Sequence, residues 1–138
     1  MIFQDKLILA IDFDGTVVED AYPKIGKPKT FAFETLKRLQ KDGHRLILWT
    51  YRCGRPLEEA VAFCKENGIE FYAVNSSFPE EKYEESKSRK INADIFIDDR
   101  NIGGFIGWGE IYQLLSDPDF DPNRIEKKKG FFASLFSK

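Results

Sequence analysis

Two aspartates, Asp12 and Asp14, leave the apolar run Leu7-Ile8-Leu9-Ala10-Ile11 and are followed at once by Gly15-Thr16. A second acidic pair, Asp98-Asp99, leaves the run Ile95-Phe96-Ile97. Carboxylates brought to one place repel one another and need a cation, and an all-oxygen donor set favours Mg²⁺ over zinc. One aspartate at a strand end reads as a turn residue or a helix cap. Four of them behind two apolar runs point instead to a metal centre. Gly15 would let the backbone turn sharply or approach a ligand closely. Thr50, which closes the run Arg45-Leu46-Ile47-Leu48-Trp49, adds a hydroxyl, and Arg52 and Arg55 just beyond it could grip a phosphate or a carboxylate bidentately.

These residues can meet only if the apolar runs lie side by side. Leu7–Ile11, Arg45–Trp49, Glu70–Val74 and Asp94–Ile97 are short and continuously apolar, which suits strands buried on both faces of a parallel sheet. Between the first two, Ala32, Leu36 and Leu39 form a helical stripe that Asp42-Gly43 ends. Between the second and third, Leu57, Ala60, Val61 and Cys64 form another, with Pro56 near its start and Asn67-Gly68 at its end. The alternation predicts an α/β fold with right-handed βαβ crossovers. Phe78 to Lys90 reads as a loop or a short exposed helix, Trp108 to Leu115 as a last helix, and Asp117 to Asn123 as irregular chain. Ligands of open α/β sheets bind beyond the carboxyl ends of the strands. Asp12, Asp14, Thr50, Asn75, Asp98 and Asp99 are all expected there.

Composition narrows the partners. The 138 residues are 42% hydrophobic and 32% charged, which predicts one globular domain over residues 1–120 and a C-terminal tail over 121–138. A net charge of -2 gives no reason to expect nucleic-acid binding. The longest apolar run, Leu7 to Ile11, is far short of the ~20 residues of a membrane span, and the start carries no signal-peptide pattern. Cys53 and Cys64 cannot make a disulfide framework or a complete zinc site, so a cytoplasmic protein is the expectation.

Asp12-Phe13-Asp14-Gly15-Thr16-Val17 resembles the first motif of the haloacid dehalogenase superfamily, whose members are mostly Mg²⁺-dependent phosphatases. The resemblance extends in order through Thr50 to Asp98-Asp99, from residue 7 to about residue 107. It implies a Rossmann-like, three-layer α/β/α fold. It implies Asp12 as the nucleophile on phosphorus, Asp14 as general acid/base, and Thr50 as a donor to the phosphoryl group. Asp12, the Asp14 carbonyl, Asp98 and Asp99 would hold Mg²⁺. A lysine should neutralise the phosphate; Lys90 is chosen, with Lys82 and Lys87 as alternatives in the same polar segment. Gly15, Thr16 and Arg52 complete the phosphate-binding set. Selectivity in this superfamily comes mainly from cap insertions, and neither Val17 to Thr30 nor residues 75–90 has room for a cap domain. The expectation is a phosphomonoester hydrolase of unassigned substrate class, its site open to solvent or closed by a second subunit of a homo-oligomer. The competing readings are a receiver-like domain and a catalytically silent phosphate- or metal-binding module. A receiver keeps its acceptor aspartate after the third strand, where this chain has Asn75.

Other residues carry weaker signals. His44 reads as structural, Cys53 as a bystander and Cys64 as core. Phe105 and Trp108 either border the site or pack over a glycine-rich loop. Lys127-Lys128-Lys129, followed by Phe131, Phe132, Leu135 and Phe136, reads as a tail that docks on its own domain, a second copy, a partner or a membrane surface.

Overall fold

The computed structural model describes residues 6–121. All but the first residue of the expected tail, including the Lys127–Phe136 stretch, lies outside them. The sheet is built from β1 (Ile8–Ile11), β4 (Arg45–Leu48), β5 (Ala73–Val74) and β6 (Ile95–Ile97), in the order β5-β4-β1-β6 and with every pairing parallel. β1 is central, hydrogen-bonded to β4 on one side and to β6 on the other, so the order of strands reverses at its carboxyl end. A crevice at such a reversal is where open α/β sheets take ligands.

Alternate residues of the strands feed two cores. Leu9, Ile11, Leu46, Leu48 and Ile97 face one side, where they meet α1 (Ala32–Lys41), α2 (Gly54–Glu66) and α3 (Trp108–Ser116). Ala10, Ile47 and Ala73 face the other side and pack with Ile91. The α/β class and the parallel sheet are as expected, but the buried residues of all three helices join the first core. The second face is covered by Ile91 and Ala93 of the irregular segment between β5 and β6, where a three-layer arrangement would put a helix.

The helices follow from their stripes. α1 buries Ala32, Phe33, Leu36 and Leu39 and stops at Gly43, whose φ of 99° few other residues adopt. α2 carries Pro56 in its first turn, where the missing amide breaks no helical bond. β5 is shorter than the apolar run Glu70–Val74 suggests. The Glu70 carbonyl accepts from Gln40 Nε2 at 2.8 Å instead of entering a ladder. Phe78 to Lys90 forms no helix.

Between β1 and α1 lies an antiparallel hairpin, β2 (Val18–Ala21) and β3 (Lys24–Pro28). Glu19 and Asp20 of β2 are exposed, so no alternating pattern betrayed it in the sequence. His44 is buried, its Nδ1 accepts the Leu7 amide at 3.1 Å, and burial together with nearby Lys6 holds its pKa below the ordinary imidazole range. Among the described residues, no helix is long and apolar enough to cross a membrane.

Leu46, 1% exposed, fills the core between sheet and helices, whereas Leu114 is 44% exposed. Leu46→Ala is expected to cost about 2–5 kcal/mol of stability. Leu114→Ala should cost about 1 kcal/mol or less. Chemical denaturation of the two variants checks the difference.

Candidate active site

The chain leaves β1 still paired: the Asp12 amide donates to the Ile97 carbonyl at 3.0 Å. It then turns at once, with the Val17 amide on the Phe13 carbonyl at 2.9 Å and the Gly15 amide on the Val18 carbonyl at 2.8 Å. The fully buried Phe13 ring anchors this turn, and the two aspartates flanking it both line one cavity above the sheet. Gly15 has a φ of 86°, and a Cβ there would collide with the Asp99 carboxylate. Only glycine lets the loop approach the second acidic pair this closely.

Thr16 is the pivot of the cluster. Its side chain is fully buried, with Oγ1 3.0 Å from Asp12 Oδ2 and 3.2 Å from Asp99 Oδ1. Its carbonyl accepts the Trp108 indole N–H at 2.8 Å, which ties the loop to the start of α3. One hydroxyl has one proton and cannot satisfy two ionised carboxylates. Burial, the hydrogen bond to Asp99 and the charge of Asp98 push the Asp12 carboxyl from 3.8 up to about 8. Asp99 moves the other way, because hydrogen bonds from Asp12, Asp98, Thr16 and its own backbone outweigh its burial.

One oxygen each from Asp12, Asp98 and Asp99 lies within 4.8 Å of the others. A single cation fits such a triad, and the donor set is entirely oxygen.

Asp14 is held differently. Arg52, with a side chain 0% exposed, donates through Nε and Nη2 to the two Asp14 oxygens, both at 2.8 Å. Its other donors go to the carbonyls of Pro23, Lys24 and Pro56 at 2.9, 2.7 and 3.1 Å. All five N–H groups are therefore engaged within the protein. The expected contact of Arg52 with a phosphate is replaced by a clamp that joins the β1 loop, the tip of the hairpin and the first turn of α2.

Thr50 lies where expected, on the wall of the same cavity. Its amide donates to Asn75 Oδ1 at 2.8 Å and its Oγ1 accepts the Arg52 amide at 3.1 Å, which leaves the hydroxyl proton to donate into the cavity. Asn75 holds this arrangement with a φ of 53°, a conformation asparagine tolerates better than most residues.

The cavity measures about 620 Å³, and Asp12, Asp14, Thr50 and Asp98 all line it. Lys90 does not: it is exposed, and its Nζ sits 5.3 Å from the Phe96 ring centroid. Lys82 and Lys87 are also exposed and line no part of the cavity. Among the described residues, the cation that lines the cavity is Arg100, whose amide donates to Asp98 Oδ1 at 2.9 Å. Gly15 and Thr16, expected to bind phosphate, instead set the positions of Asp12 and Asp99. Arg55 pairs with Glu59 on the surface of α2 at 3.8 Å. Cys64 is core, its thiol pushed up to about 12 by burial, and Cys53 is exposed. Asp20 and Tyr22 of the hairpin, with Trp49 and Tyr51 beyond β4, complete the wall. Sequence patterning did not single these four out, because the hairpin that brings Asp20 and Tyr22 in was not visible there.

No family profile and no curated protein matches the chain. Among solved structures it is similar to a conserved protein from Bacteroides thetaiotaomicron, at 47% identity over 97% of this chain and 100% of that one. The chain belongs to that protein's family. A TM-score of 0.76 shows that this member and its Bacteroides relative share the fold.

The proton on Asp12 has a consequence for stability. Between the unfolded value of 3.8 and the folded value of about 8, the native state binds more protons at this site than the unfolded chain. Stability conferred there is complete below the unfolded value and is lost as pH rises through the folded one. In the presence of a chelator, thermal melting of the wild type should fall between about pH 5 and about pH 8. Asp12→Asn, which never ionises, should show a shallower decline over the same window. Equal slopes would mean that Asp12 is an ordinary carboxylate.

Proposed function

We propose that the protein is a Mg²⁺-dependent phosphomonoester hydrolase that works through an aspartyl phosphate on Asp12, as a capless member of the haloacid dehalogenase superfamily. The observation that carries this reading is the convergence of Asp12, Asp98 and Asp99 oxygens within 4.8 Å, beside a cavity that Asp12, Asp14, Thr50 and Asp98 line. The motif order in the sequence and the strand reversal at β1 support it. Absence of a cap fits a hairpin whose Tyr22 is 47% exposed beside a Tyr51 that is 89% exposed, so neither seals the site.

In this mechanism Asp12, Asp98 and Asp99 would hold the metal, with the Asp14 carbonyl as a further donor. Bound there, Mg²⁺ supplies the positive charge that lets a phosphate approach the acidic cluster. Thr16 fixes the plane of the Asp12 carboxylate by its contact with Oδ2. An Asp12 oxygen forms a bond to phosphorus, the bond to the leaving oxygen breaks, and Asp14 passes its proton to that oxygen. Water then attacks the phosphoryl group, Asp14 takes the water's proton, and the Asp12 oxygen leaves with its electron pair. Thr50 donates its hydroxyl proton to the phosphoryl oxygens, and Arg100 takes the charge-balancing role foreseen for a lysine. Arg52 occupies one lone pair of each Asp14 oxygen, and a carboxylate offers about four such positions, so a lone pair on each oxygen stays open to a proton.

A catalytically silent phosphate-binding module is the second reading. The bidentate hold of Arg52 on Asp14 and a cavity wall with no lysine among the described residues favour it.

Assays of the purified protein with small phosphomonoesters, with Mg²⁺ and with chelator, decide between them: the hydrolase requires turnover that chelation abolishes. Asp12→Asn should form no phosphoprotein. Asp14→Asn should lose ~10²–10⁴-fold in turnover and accumulate an acid-stable, hydroxylamine-sensitive phosphoprotein with a substrate that has a good leaving group. Phosphoprotein on Asp12→Asn would overturn the nucleophile assignment, and no Mg²⁺-dependent turnover with any phosphomonoester would leave the silent module.

A further inference from the structure

The walls of the cavity are aromatic where its floor is acidic. Tyr51 is 89% exposed and Tyr22 47%, large values for aromatic rings, and both border the same cavity as Asp12. Their ring centroids are 6.1 Å apart at an interplanar angle of 66°, an edge-on pair in which each supports the other. Tyr22 is further fixed by the Arg52 guanidinium, 5.3 Å from its centroid, and by the bonds from Arg52 to the next two carbonyls, Pro23 and Lys24. The ring therefore stands on a buried, fully engaged arginine. Trp49 adds a third aromatic surface to the wall. Aromatic faces left in water beside a reactive centre are stacking platforms for a flat ligand group.

Charge restricts that ligand further. Among the described residues, the lining carries four carboxylates, Asp12, Asp14, Asp20 and Asp98, against one cation, Arg100. Three of these acids serve the reacting phosphate in the function proposed above. Asp20 stands apart, beside Tyr22, whose amide donates to Asp20 Oδ1 at 3.2 Å. A carboxylate there accepts hydrogen bonds from hydroxyl or amino groups and repels a second phosphate. A cavity of about 620 Å³ lies within the range that holds nucleotide-sized ligands.

We propose that the substrates are nucleoside monophosphates, with the base stacked on the Tyr22–Tyr51 pair and ribose or base donors on Asp20. This rests on the hydrolase reading for its catalytic part and on the aromatic wall for its selectivity. The expected order of kcat/KM is adenosine 5′-monophosphate above ribose 5-phosphate by about 10- to 100-fold, the size of base stacking on an aromatic ring. Adenosine 5′-diphosphate should fall below the monophosphate, and Asp20→Asn should narrow that gap. Tyr51→Ala and Tyr22→Ala should bring the ratio of monophosphate to ribose 5-phosphate towards unity, and Tyr51→Phe should preserve it. Binding of adenosine and of ribose to the wild type, followed by NMR titration, needs no turnover and separates the two ideas. Tyr51-dependent preference for adenosine with no hydrolysis of any compound would sink the hydrolase and keep the ring selection. Hydrolysis of the three phosphates with equal kcat/KM, or a ratio unmoved by both tyrosine replacements, would overturn the ring selection and keep the hydrolase.

Discussion

Three carboxylates crowded between the ends of two adjoining strands are the constraint around which this molecule is arranged. Asp12 ends β1 and Asp98-Asp99 ends β6, and β1 pairs directly with β6, so parallel pairing itself drives like charges together. The fold answers with short-range devices. Gly15 lets the β1 loop approach Asp99, Thr16 places one hydroxyl between two acids, and Trp108 holds the Thr16 carbonyl from α3. None of these supplies positive charge. Burial and the neighbouring acids accordingly push the Asp12 carboxyl up to about 8.

The fourth acid is treated in the opposite way. Asp14 is given a buried arginine of its own, and the pair is satisfied to the last donor. Removing one partner of a buried pair typically costs ~3–5 kcal/mol, because the other charge is left without a counterpart. Arg52 also holds the Pro23 and Lys24 carbonyls, so the hairpin tip depends on the same side chain. Chemistry and architecture thus meet at Asp14. Loss of activity in an Asp14 variant has to be weighed against melting behaviour before it is assigned to proton transfer.

The acid cluster was legible in the sequence because it needs only local information: an apolar run, then an aspartate at its carboxyl end. The parallel sheet and the boundaries of α1 were legible for the same reason. Lys90 was not, because a lysine's destination depends on the tertiary path of its segment. Residues 75–94 cross the open face of the sheet without a helix, and Ile91 seals the second core there. Lys90, next to it, lies against the Phe96 ring rather than over the carboxylates. Arg52 was correctly seen as a bidentate arginine, but its partner was taken to be a ligand. Nothing in the sequence says that three backbone carbonyls converge around it.

The one-sided placement of the helices and the open cavity are connected. With α1, α2 and α3 all on the first core, the described residues that cover the second face from the chain between β5 and β6 are Ile91 and Ala93. Such a segment offers no rigid element from which to project a lid over the strand ends. Fixed geometry near the site must come from the other direction, through the hairpin that Arg52 secures. A hairpin tip held by two hydrogen bonds from a buried arginine cannot close by swinging without breaking both of them in a buried place. Selection at this site therefore falls to surfaces that are already in position, and the surfaces in position are the rings of Tyr22 and Tyr51.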